Sequence, residues 1–173
     1  MTTYTIKNLK TCRGMEDEAF SCTLLRDGKP VCDVQYGGTG GPYRFRWLDA
    51  ANCVLVEFQR RNWKDEMVPV TGTPEEAAFA AHVMEQPKDI EFDLYANDDM
   101  VVGALVERFE AEKKAARLLK THLVYREVPG GAVYTIPLKG RKAEAGFMQI
   151  KSRHPQAMWL NTVPDLGTAL LGR

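Results

Sequence analysis

The sequence predicts an α+β fold dominated by antiparallel strands, and three observations lead there. Segments alternating polar and apolar residues fill the first fifty positions; helix-start signals occupy the middle; strand-like segments return after residue 122. Strands, then helices, then strands is the order of an α+β protein rather than of an alternating α/β one. The expectation is a single domain, 1–173: a mainly antiparallel sheet from N- and C-terminal strands with about three helices packed against it. The composition agrees. With 45% hydrophobic and 27% charged residues, and 23 basic against 23 acidic side chains, it excludes collagen-like, disordered and supercharged chains.

The first strand is read at Thr2 to Lys7, where Tyr4 and Ile6 alternate with polar neighbours. Ala19 to Leu25 and Pro30 to Tyr36 flank an Asp27-Gly28 turn and read as a hairpin. Two registers compete. A two-residue loop sets Phe20, Cys22 and Leu24 on a face with Val31, Asp33 and Gln35. A three-residue loop, Arg26-Asp27-Gly28, sets them opposite Val34, Cys32 and Pro30. The second keeps apolar residues together and is preferred. It places Cys22 opposite Cys32.

Tyr36 to Trp47 is the most unusual stretch, with four glycines in five positions, Gly37, Gly38, Gly40 and Gly41. Such a backbone is bare, and its N–H groups can form an anion-binding concavity. Tyr43, Phe45 and Trp47 then alternate with Arg44 and Arg46, aromatics on one strand face and arginines on the other. The ligand reading is a phosphate cradled by the loop, a cation from Arg44 or Arg46, and a stacking face from Tyr43 or Trp47. The plain reading is a tight connection between strands. Neither a Walker loop nor a dinucleotide fingerprint is present.

A first helix is expected from Asp49 through Phe58, with Ala51, Val54, Leu55 and Phe58 on its apolar side and Arg60, Arg61 and Lys64 at its basic end. Thr73-Pro74-Glu75-Glu76 is a sharper start signal, for a helix ending near Gln86. Ile90 to Tyr95 reads as a short edge strand or an extended link. Asn97-Asp98-Asp99 caps the longest helix, about Met100 to Lys120. Leu123 to Val128 and Ala132 to Leu138 read as a second hairpin, Phe147 to Lys151 as a further strand, and Ala157 to Asn161 as the last.

The neutral total conceals an asymmetry. Between Lys113 and His154 there are ten basic residues and two acidic ones, against thirteen and twenty-one in the remainder. An anionic partner is one explanation, and mutual neutralisation of the two parts after folding is the other. Lys139, Arg141, Lys142, Lys151, Arg153 and His154 are the candidates for the first.

Cys12, Cys22, Cys32 and Cys53 have no CxxC spacing and His82, His122 and His154 are scattered, so no local zinc module is expected. Packed, reduced thiols in a cytosol are expected instead. No apolar run reaches the roughly 18 residues of a membrane span, and no basic-then-apolar leader opens the sequence, so the expected location is cytoplasmic, in the host cytosol if the chain is phage-encoded. No catalytic motif is present, and no cofactor or metal is expected. Were there catalysis, it would fall to His122 or His154 with Asp33 or Glu127.

Ile6-Lys-Asn-Leu-Lys10, Asp27-Gly-Lys29, Gly38-Thr-Gly-Gly41, Leu123 to Tyr134 and Leu160-Asn161 together resemble the pattern of small uncharacterised bacteriophage-associated accessory proteins. The resemblance implies a counter-defence role, such as a sponge that sequesters a nucleotide-derived immune signal without cleaving it. It carries no site residues with it. The expected partner is a small anionic nucleotide-like ligand, held by a symmetric homo-oligomer. The alternative partner is a nucleic acid or a host defence protein that the chain inhibits.

Overall fold

The computed structural model describes residues 2–62, 64–91, 93–128, 131–140 and 142–162. Among the described residues, three α-helices and mainly antiparallel sheets are formed, so the α+β expectation holds. The chain groups into two compact units, Met1–Val106 and Glu107–Arg173. No described helix is long and apolar enough to cross a membrane.

In the first unit, strands β1 (Tyr4–Arg13), β2 (Glu18–Arg26), β3 (Lys29–Tyr36) and β4 (Arg44–Trp47) form one sheet in that order. β1 runs six residues beyond the expected end. A bulge between Lys7 and Lys10, with Asn8 at φ 57°, breaks the alternation and hides the continuation.

The preferred hairpin register is corrected. Asp27 and Gly28 both have positive φ, 50° and 79°, so the loop has two residues, as a type I′ turn requires. A bulge at Val31 then shifts the pairing, and Phe20, Cys22 and Leu24 face Tyr36, Val34 and Cys32. The apolar face is kept by an inserted strand residue rather than by a longer loop. Cys22 therefore lies opposite Val34, not Cys32. Both thiols are buried; burial pushes Cys22 up to about 11 and Cys32 up to about 12, so they stay protonated at neutral pH. Cys12 is exposed and Cys53 half-buried, against the expectation of four core thiols.

The expected helix from Asp49 does not form. Residues 48–52 turn, and β5 (Val56–Arg61) pairs with β6 (Met67–Gly72), a strand the sequence did not announce. Val54 and Leu55, assigned to a buried helix face, are 85% and 57% exposed. Asp49 does cap a helix, but a distant one: its Oδ2 accepts from the Glu75 N–H at 3.2 Å.

Helix α1 (Pro74–Met84) starts where Thr73 predicts, its hydroxyl accepting from the Glu76 N–H at 3.1 Å. Its Phe79, fully buried, meets Tyr4, Phe45 and Trp47 at ring-centroid distances of 5.1, 6.2 and 5.9 Å. That aromatic contact seats α1 on the apolar face of the sheet. Glu76 does not complete a capping box; with Asp98 it faces Arg60 instead. The stretch around Ile90 makes one isolated bridge, Asp89 to Leu94, and α2 (Asp98–Thr121) follows with Asn97 as its cap, accepting from the Met100 N–H at 2.9 Å.

In the second unit, β7 (His122–Arg126) lies between β8 (Val133–Pro137) and β9 (Met158–Trp159). Residues 160–162 make a short 3-10 turn rather than the end of the expected strand. Val124 packs against Ala115, Leu118 and Leu119 of α2, while Leu123 and Tyr125 pack against Phe147 and Ile150. The latter belong to α3 (Ala143–Arg153), which replaces the strand expected at Phe147 to Lys151. Ala143, Phe147 and Ile150 stand at helical spacing, so one helix face meets β7. In a run that short, periodicity does not separate helix from strand.

Candidate functional site

A cleft of about 560 Å³ opens where β1, β2, β3 and the glycine loop meet. Its apolar part is Phe20, Tyr36 and Tyr43, whose rings form a closed trio with centroids 4.9 to 5.8 Å apart. These rings come from β2, β3 and the residue before β4. Tyr36 lies directly opposite Phe20 in the ladder. Tyr43 is fixed through its backbone, whose N–H donates to Asp99 Oδ2 at 3.1 Å. Gly103 on α2 leaves room for the Tyr43 hydroxyl, which lies 3.5 Å from where a Cβ would stand.

The polar part of the cleft is a single row across four strands. Lys10 pairs with Ser21, Ser21 with Gln35 and Gln35 with Arg44, and all four line the cleft. Directly paired residues project to the same side of a sheet and successive residues to opposite sides, so this row stands on the face opposite Phe20, Tyr36 and Tyr43, and the cleft is lined from both faces. The row therefore ends in a cation at each edge, about 14 Å apart from strand spacing alone. Cys12, Thr11 and Thr39 complete the polar lining.

The four glycines divide into two roles. Gly37 and Gly41 line the cleft, with only the Thr39 side chain within 4 Å of a Cβ built on either. Gly38 is buried: its carbonyl accepts from the Glu16 and Asp17 N–H groups at 2.9 and 3.2 Å, and a Cβ on it would stand 2.8 Å from Gly14 Cα. The Gly40 N–H donates to the Tyr36 hydroxyl at 3.1 Å, and the Glu16 carboxylate lies over its Cα. Neither Gly38 nor Gly40 is among the cleft's lining residues. The loop shapes the cleft more than it offers free amides to it.

The other predicted residues separate. Arg44 reaches the cleft; Arg46 pairs with Asp33 on the same sheet face. Trp47 turns to the opposite face and packs with Phe45 and Phe79. Lys139, Lys142, Lys151, Arg153 and His154 are exposed residues of the second unit, whereas every residue lining the cleft belongs to the first. Arg141 lies outside the described residues. His154 and Glu127 do come together, Nε2 to Oε1 at 3.7 Å.

Sequence reading missed Lys10, Thr11, Cys12, Ser21, Gln35, Tyr36 and Thr39. The alternation beyond Lys7, resumed at Lys10 and Cys12 after the bulge, was the available signal for β1. Ser21 and Gln35 were visible only as the polar members of their strands. Among the described residues, no group of three or more His, Cys, Asp and Glu side chains is arranged to hold a metal ion. No protein-family model, no curated protein and no solved structure matches the chain.

Proposed function

We propose that the protein binds and sequesters a small anionic, nucleotide-derived ligand in the first unit's cleft. The observation that carries this reading is a cleft that reaches both faces at this end of the sheet, with the aromatic trio Phe20, Tyr36 and Tyr43 on one face and a polar row ending in Lys10 and Arg44 on the other. A base has an apolar face that stacks on such rings, and a phosphate takes a charge-assisted hydrogen bond from arginine. Binding fits the chemistry of the lining. Its ionisable side chains are Lys10, Arg44, Cys12, Tyr36 and Tyr43, groups that can hold a phosphate and a base by charge, hydrogen bonding and stacking. The resemblance to bacteriophage accessory proteins supports sequestration of an immune signal as the biological use.

Calorimetric titration with nucleoside monophosphates, cyclic oligonucleotides and ADP-ribose derivatives tests the reading. Saturable heat that is lost in Tyr43→Ala and Arg44→Gln, with the ligand recovered unchanged after long incubation, is the expected result. No heat and no thermal shift across that panel refutes it; a chemically altered ligand refutes the non-enzymatic part.

A further inference from the structure

The cationic row of the cleft has a parallel neighbour. One step along the strands, Lys7 pairs with Thr23, Thr23 with Asp33 and Asp33 with Arg46, on the same face as Lys10, Ser21, Gln35 and Arg44. The face thus carries a lysine pair on one outer strand and an arginine pair on the other. Between them lie hydroxyls, an amide and one carboxylate. Lys10, Gln35, Arg44 and Arg46 are exposed, and Lys7, Ser21, Thr23 and Asp33 half-buried. A second depression, about 190 Å³, continues from the first: it shares Lys10, Ser21 and Gln35 with the cleft and extends to Thr23 and Asp33.

We propose that this face is the track of a single-stranded oligonucleotide whose terminal nucleotide occupies the cleft. The inference rests on the cleft reading above and extends it from a mononucleotide to a chain. Two rows are separated by about 7 Å along the strand direction, on the order of the phosphate repeat of an unstacked single strand. The cations stand at the sheet edges, where a phosphodiester backbone crossing the face meets one row after the other. Hydroxyl and amide groups in the middle suit sugar and base edges. No ring stands in either row, and the rings of the cleft belong to the other face of the sheet, so along this face the chain is held by charge and hydrogen bonding and only the terminal nucleotide, at the end of the sheet, reaches a ring. Asp33 opposes it: its carboxylate accepts from Thr23 Oγ1 at 3.2 Å and pairs with Arg46, leaving Lys7 as the second row's cation without that partner.

The test compares the four deoxynucleoside 5′-monophosphates with 5′-phosphorylated mixed-sequence oligonucleotides of two, three and six residues. Affinity is measured across salt on wild type, Lys7→Gln, Asp33→Asn and Tyr43→Ala. Expected are a gain in affinity from one to three residues and a salt dependence steeper by about 0.7 in log–log slope for each added phosphate neutralised. Lys7→Gln should remove the gain and that increment of slope while leaving mononucleotide binding intact. Asp33→Asn should tighten the trinucleotide alone. Equal affinity for all lengths, or a length effect indifferent to Lys7 and Asp33, overturns the track and leaves the cleft reading standing. Length-dependent binding indifferent to Tyr43→Ala overturns the seating of the terminal nucleotide and the cleft reading with it. No binding of any probe overturns both.

Discussion

Gly14 and Gly38 meet backbone to backbone: a Cβ on Gly38 would stand 2.8 Å from Gly14 Cα, and one on Gly14 would stand 2.7 Å from Gly38 Cα. The contact pins the glycine loop after β3 to the turn between β1 and β2, and so holds one wall of the cleft. Gly38 also sits at φ 66°, where side-chain-bearing residues are strained. Gly38→Ala is expected to destabilise the protein by about 2 kcal/mol or more, since strain and a backbone collision act together. Gly40→Ala has similar φ strain at 68° but meets only the flexible Glu16 carboxylate, so about 1 kcal/mol is expected. Urea midpoints of the two variants decide it; equal losses would mean the Gly14 contact contributes nothing.

Cys12 lines the cleft and is exposed, while Cys22 and Cys32 are buried with raised pKa values. In the native protein, an aromatic disulfide reagent at pH 8 should modify Cys12 quickly and leave Cys22 and Cys32 unreacted until the chain unfolds. A ligand seated in the cleft should slow the Cys12 reaction. Labelling of Cys12 at an unchanged rate under saturating ligand would place that ligand elsewhere.

Asp98 is 9% exposed, beside Arg60, with Asp99 and Glu76 near by. Burial raises its pKa above the ordinary aspartate value, outweighing the pull of Arg60. The folded state then binds this proton more tightly than the unfolded chain. The group's favourable contribution is complete below the unfolded pKa and is lost as pH rises through the folded one. Asp98→Asn, which keeps an oxygen toward Arg60, should therefore be at least as stable as wild type at pH 7. The difference should shrink as pH falls toward 4, as read from denaturation midpoints. A large loss at pH 7 would show that the ionised pair stabilises the fold.

Thr73 is buried, and its hydroxyl accepts from the Glu76 N–H at 3.1 Å. Thr73→Ala should lower stability by about 1 kcal/mol, and Thr73→Ser should recover most of it. Because Glu76 is engaged with Arg60 rather than with the cap, Glu76→Gln should leave the cap intact. Helix content and urea midpoints measure both. An additional cap loss in Glu76→Gln would mean that the box closes in solution.

Signals confined to a few neighbouring residues were legible in the chain: the alternation of Tyr4 and Ile6, the Asp27-Gly28 turn, the caps at Thr73 and Asn97, and the hairpin of β7 with β8. Each depends on backbone geometry and hydrogen bonds between residues close in sequence. Where the outcome depended on a distant partner, local pattern misled. Val54 and Leu55 fitted a helix face, yet β5 forms because Val56 to Arg61 pairs with Met67 to Gly72. Phe147 and Ile150 fitted a strand, yet both turn to β7 as one face of α3.

The candidate site shows the same division. Its residue types, an aromatic and an arginine beside a glycine run, stood in plain view from Gly37 to Arg44. Its shape did not. Lys10, Ser21, Gln35 and Arg44 become neighbours only when four strands settle in a register that two bulges adjust. Those bulges form because the apolar sides of β1, β2 and β3 must face one core, and no window of sequence contains that requirement.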